Sequence, residues 1–129
     1  TTLGFAEHEG FRNSYCLPFK LYDFEEERMI DVWEIPLIGM DGTLFNYRRL
    51  NIEQAARSLN TLIEEVKKFQ GIFTFLWHNG FEKDNPDKKV PEFYQKLLDL
   101  LSSHEGHSIL GREIIERLEC YQNGKFLGE

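Results

Sequence analysis

Two short apolar runs separated by one long amphipathic stretch constrain this chain more than any other feature. The first is WEIPLIGM, residues 33 to 40, closed by the turn-forming pair Asp41 and Gly42; the second is IFTFLW, residues 72 to 77, closed by His78, Asn79 and Gly80. Between them Ile52, Ala55, Ala56, Leu59, Leu62, Ile63, Val66 and Phe69 recur at three- and four-residue steps, the period of a helix with one buried face. Asn51 suits the N-cap, Glu53 complements the positive end of the helix dipole, and Lys67 and Lys68 complement the negative end. Gly71 is predicted to take the left-handed position that ends the helix. Strand, helix and strand at this spacing form a βαβ unit, whose strands run parallel and are buried on both faces.

The flanks extend the pattern. Pro91 reads as the first residue of a helix in which Phe93, Tyr94, Leu97, Leu98, Leu100 and Leu101 repeat, ending near Ser103. A last helix is expected from about Arg112 to Tyr121 with Ile114, Ile115 and Leu118 inward, and residues 81–90 read as a charged loop. In the opening segment FRNSY and FKLYDF look extended, and EEER looks like a solvated turn. Tyr22, Trp33, Tyr47 and Phe75 are assigned to the core. The fold class is therefore α/β, with an open, mostly parallel sheet and flanking helices.

Composition narrows the function. At 129 residues the chain is a single domain or part of one, with 41% hydrophobic residues and no repeat or low-complexity tract. Its net charge is −7 and its basic residues form no stripe, which argues against nucleic acid, where Lys and Arg must neutralise phosphates. No apolar stretch approaches the ~20 residues a membrane span needs, and nothing resembles a secretory signal. Cys16 and Cys120 lack metal-type spacing, so free buried thiols are expected, with a disulfide between them as the alternative. The chain begins at Thr1 without Met, which suggests material removed upstream and leaves the address of this bacterial-type protein open between cytoplasm and cell envelope.

Both apolar runs end on a residue that can do chemistry. In parallel α/β architectures the C-terminal ends of the strands face the ligand crevice, so Asp41 and His78 should look over one rim. A polar residue ending a strand is as often a turn former, and spacing alone leaves both readings open.

With TTLGFAEHEGFRNSYCLPF, IPLIGMDGTL and FTFLWHN in view, the chain resembles the C-terminal half of a divergent polysaccharide deacetylase over residues 1 to about 121. The most specific parts are the stretch from Thr-Leu-Gly-Phe to Gly-Phe-Arg and the Leu-x-His strand end. Such carbohydrate esterases fold as an incomplete (β/α) barrel and remove acetyl groups from N- or O-acetylated glycans with a divalent metal, zinc being the expected one. The resemblance implies that Arg12 lies in a loop beside the substrate, that Asp41 ends a strand at the site and that His78 is the general acid. Imidazole suits that role because it exchanges protons near neutral pH, and a carboxylate on its other nitrogen fixes the tautomer. Arg12 would orient an acidic partner by a bidentate pair. Phe11, Tyr15 and Trp77 are the implied substrate-binding residues, although core packing is the commoner job for Phe11 and Trp77.

The pattern also departs from the family. Asn13-Ser14-Tyr15 replaces the usual Pro-Tyr after the Arg, and nothing matches the motifs that supply a base Asp, a metal-binding Asp and two His ligands. His104 and His107 are spaced as a ligand pair, but with no third donor nearby they read as a helix end, and His8 reads as a surface residue. The expectation is thus a single domain over residues 1–129 that is a C-terminal fragment of a larger barrel, does not by itself ligate the metal fully, and is inactive alone. Its exposed sheet, of three to five strands, would be covered in a homodimer or by the missing N-terminal half. The expected partner is an acetylated polysaccharide or oligosaccharide. A non-catalytic domain that binds glycan or protein at the same rim is the alternative reading. A flavodoxin-like domain is weaker, since no phosphate-cradling Gly-rich loop follows the first strand.

Overall fold

A computed structural model describes residues 7–79 and 90–122. In chain order it contains strands β1 (Phe19–Asp23), β2 (Arg28–Glu34) and β3 (Gly39–Met40), helix α1 (Ile52–Lys68), strand β4 (Phe75–Leu76), and helices α2 (Val90–Ser103) and α3 (Gly111–Gln122). A tight turn at Arg12–Ser14 precedes β1, and a π-helical turn at Thr43–Tyr47 follows β3.

The βαβ unit is present. β3 and β4 pair in parallel, Gly39 with Phe75 and Met40 with Leu76, and α1 crosses between them. α1 begins with a reciprocal cap: Asn51 Oδ1 accepts from Gln54 N at 2.9 Å, and Gln54 Oε1 accepts from Asn51 N at 3.0 Å. Its buried face is Ala55, Leu59, Ile63 and Val66. That face packs with Leu44, Phe45, Phe93 and Leu97 into the main core, where Phe45 and Phe93 meet edge to face at 4.9 Å. A fully buried Phe or Leu side chain contributes about 1.5–3 kcal/mol by area alone.

The end of α1 corrects one expectation. Gln70, with φ of 50°, takes the left-handed position; its N–H bonds to Lys67 O and the next N–H, of Gly71, bonds to Val66 O. Gly71 is needed for a different reason: a Cβ there would lie 2.4 Å from Cys16 Sγ. α2 ends the same way, with Glu105 at φ of 62° and bonds from Glu105 N to Ser102 O and from Gly106 N to Leu101 O.

The sheet also differs from the expected three to five mostly parallel strands: among the described residues there are two two-stranded sheets, β3–β4 parallel and β1–β2 antiparallel. Pro36 explains part of this. It lacks an N–H for a ladder, so residues 33–40 divide into the end of β2 and the short β3. Opposite, Ile38 N and Gly39 N both donate to Thr74 O, an irregularity that confines regular pairing to two residues. The mixed α/β character and open sheets hold, with the hairpin as an addition: Asp23 Oδ1 accepts from Glu25 N and Glu26 N to close the tip, and Glu27 turns at φ of 48°.

Other expectations move with the hairpin. FRNSY is a tight turn, with Asn13 and Ser14 at φ of 55° and 59°. Tyr22 and Tyr47 are exposed instead of core, whereas Trp33 is half-buried, with its Nε1 donating to Glu119 at 3.3 Å and Lys20 over its ring. Helices α2 and α3 lie where expected, Ile114 is buried, and Cys16 and Cys120 are free thiols. The loop expected over 81–90 lies, up to residue 89, outside the described residues.

Candidate functional site

Asp41 is the first residue past β3, and its side chain is completely buried. The π-helical turn behind it anchors it, because Thr43, Leu44 and Phe45 are buried and Arg48 N closes onto Thr43 O at 3.0 Å. Turns of this kind interrupt regular helices and often accompany functional sites. A buried carboxylate must have its hydrogen bonds met. Here Gly42 N donates to Asp41 Oδ1 at 2.6 Å and His78 N donates to Oδ2 at 2.7 Å. The third partner is the imidazole: His78 Nδ1 lies 2.6 Å from Asp41 Oδ1.

His78 follows β4 by two residues, and its side chain is 52% exposed. The carboxylate holds the proton on Nδ1, so Nε2 is the nitrogen left to exchange a proton with solvent or a bound molecule. Parallel pairing therefore brings the two strand ends onto one rim, and one carboxylate bonds both the backbone and the ring of His78. Leu76, 38% exposed and two residues before His78, lies on the same strand face, with Met40 as its partner on β3. This apolar surface beside the imidazole is not among the residues expected at the site. The period of two along the strand was the signal that could have revealed it.

Arg12 does not join this pair. It is buried, and its Nε donates to Leu37 O at 3.1 Å, four residues upstream of Asp41 in the chain. Gly10 N bonds to Ile38 O and Ile72 N to Cys16 O, so residues 10–16 are stitched across the upstream ends of the two strands. Phe11 and Tyr15, with Ser14, Cys16, Leu17 and Phe69, line an apolar pocket of about 360 Å³. Phe69 caps the C-terminus of α1, which in a βαβ unit lies at the opposite end from His78. Trp77 faces the other side of β4 from His78 and packs against Phe93 and Tyr94, with ring centroids 6.4 Å and 4.9 Å away. Of the six residues expected at the site, Asp41 and His78 meet there, Trp77 is next to His78 in the chain but turned to the core, and Arg12, Phe11 and Tyr15 belong to the other end.

The donor set does not fit a bound metal. Among the described residues no group of three or more His, Cys, Asp and Glu converges, and Asp41 already serves three N–H partners. His78 Nε2 alone falls short of the three protein ligands of a catalytic zinc. His104 Nε2 pairs with Asn60 Oδ1 at 2.9 Å, as part of the contact between α2 and α1. Among the described residues no helix is long and apolar enough to cross a membrane.

Compared with profiles of known protein families, with curated proteins and with solved structures, the chain matches none.

Proposed function

We propose that this chain is the acid–base portion of a polysaccharide deacetylase-like hydrolase, with a partial (β/α) barrel as the complete fold and an acetylated glycan as substrate. The observation that carries the reading is the bond from His78 Nδ1 to a fully buried Asp41. Hydrolysing an acetamide requires a water deprotonated at the carbonyl and a proton delivered to the departing amine. A histidine whose Nδ1 proton is fixed by a carboxylate can deliver that proton from Nε2. The buried carboxylate balances the imidazolium before transfer, and the apolar lip at Leu76 and Met40 offers a small acyl methyl a dry contact. In the family the metal activates the water; the described residues supply no site for it, so no step is assigned to it in this chain.

The test is acetyl release from N-acetylglucosamine oligomers by the full-length protein that carries this chain. Release should fall by about 10²–10⁴-fold in His78→Ala. Unchanged release in that variant would remove His78 from the chemistry. The separation of Arg12 from the rim favours one second reading, a non-catalytic domain that kept the scaffold and binds glycan or protein at the same edge. That reading predicts no acetyl release from the full-length protein and retained glycan binding.

A further inference from the structure

The tip of the β1–β2 hairpin presents an apolar surface to solvent among the described residues. Tyr22 and Met29 are cross-strand partners and therefore share a face, and the Phe24 ring stands edge-on to Tyr22 at 5.2 Å. Their exposures are 45% for Tyr22, 53% for Met29 and 86% for Phe24, and Phe24 is the most exposed large apolar side chain among the described residues. A contiguous exposed patch of this kind marks an interaction surface more often than a scatter of single residues does. The tip is also ordered, since Asp23 Oδ1 holds both Glu25 N and Glu26 N.

Charge indicates what can sit there. Asp23, Glu25, Glu26 and Glu27 flank Phe24 in the chain, and Arg28 answers one of them through Glu26 at 2.6 Å. A second copy of this chain would bring a net charge of −7 to an acidic surface, which disfavours self-association. The complementary occupant is cationic and has flat apolar faces that stack on aromatic rings. We propose that the hairpin tip docks a glycan bearing free amino groups, the chemical class left when acetyl groups are removed from an N-acetylated polymer. The choice of glycan rests on the proposed deacetylase reading. Each ammonium is drawn to the carboxylates and to the Tyr22 and Phe24 ring faces, and each pyranose ring lays its C–H face on an aromatic ring. The tip residues Tyr22, Phe24 and Met29 are none of those that form the Asp41–His78 pair.

The experiment is a titration of the chain with glucosamine oligomers and, in parallel, N-acetylglucosamine oligomers, read by calorimetry and by the backbone amide signals of residues 22–29. The amino sugar should bind about tenfold more tightly than its acetylated counterpart, and added salt should weaken it. Phe24→Ala and the double variant Glu25→Gln with Glu27→Gln should each reduce affinity about tenfold while leaving the rest of the spectrum unchanged. Equal binding of the two oligomers, or full affinity in Phe24→Ala, overturns the proposal. Polylysine that binds as tightly and shifts the same amides also overturns it, and assigns the tip to a basic polypeptide. Because the titration needs no turnover, failed acetyl release with intact binding sinks the enzyme reading alone, and the reverse sinks the docking surface alone.

Discussion

At the C-terminal ends of β3 and β4, a fully buried Asp41 receives two backbone N–H groups and the imidazole of His78, whose other nitrogen faces a half-open surface. At the opposite end of the same unit, Arg12 is also buried but its Nε donates to a backbone carbonyl, and apolar side chains enclose a pocket beside it. Both ends place a charged group where water is scarce. They differ in the partner. A buried charge bonded to a group that can exchange its proton with the surface is arranged for chemistry, whereas one bonded to main chain ties two segments together. On the proposed reading, the rim is the end that acts and the Arg12 end is the one that holds the unit together.

The largest effects should come from breaking the rim. Asp41→Asn keeps the volume but turns one of the acceptors beside His78 into a donor, and acetyl release by the full-length protein should drop by about 10²–10⁴-fold. Arg12→Met should leave the turnover per folded molecule within a few-fold, because Arg12 acts through Leu37 O and not on the dyad. A loss of turnover in Arg12→Met as large as in Asp41→Asn, at equal folding, would erase the distinction between the two ends.

The next test strains the opposite end without touching the rim. In Gly71→Ala the new Cβ meets Cys16 Sγ at 2.4 Å, with Cys16 Cβ and O at 3.0 Å. Crowding of this size typically costs about 1–3 kcal/mol, measurable by denaturant midpoint. Cys16→Gly should recover part of that loss in the double variant, and a purely additive result would mean that the clash is relieved elsewhere. The Cys16 thiol, its pKa pushed up by burial, should also react with alkylating reagents more slowly than a thiol in the denatured chain.

How much of this was legible in the sequence follows from the range of the interactions involved. The βαβ unit was readable because Asn51, the three- and four-residue steps of α1 and the two apolar runs are local signals, and parallel pairing then carried Asp41 to His78. The hairpin was harder: β2 reads RMIDVWE, a strand with much of its surface in solvent, so no alternation of apolar and polar residues marked it. Arg12, Phe11 and Tyr15 were misplaced for a different reason. Their positions depend on the left-handed turn at Asn13 and Ser14 and on long-range bonds to Leu37, Ile38 and Ile72, which no local pattern encodes. At the end of α1 the sequence points to a left-handed turn, but Gln70 takes it, and Gly71 instead makes room for Cys16.

A smaller effect belongs to the helix that joins the two ends. Asn51→Ala removes the acceptor for Gln54 N and the reciprocal bond with it, and should cost about 1 kcal/mol of stability. Because the cap lies at the rim end of α1, the loss should loosen residues 43–55 in hydrogen exchange before it reaches the pocket at Phe69.

The smallest effect expected is at the far end of that helix, where Lys67 Nζ meets Glu105 Oε2 at 3.1 Å on an exposed surface. Hydrogen bonding and the charge of Lys67 lower the Glu105 pKa below its ordinary value. A carboxyl whose folded pKa is depressed adds stability that is present above its unfolded pKa and is lost as pH falls through the folded one. In Lys67→Met the Glu105 titration followed by NMR should move up towards the ordinary glutamate value, while the acid unfolding curve should scarcely shift, since solvent and salt screen an exposed pair. The same substitution made in 1 M salt should move the titration less, because the Debye length is then about 3 Å and the charge of Lys67 is partly screened while its hydrogen bond remains. An undiminished shift in high salt would mean that the junction of α1 and α2 is drier than its exposure indicates, so that this pair, like the buried Arg12 at the same end, would count as shielded from solvent.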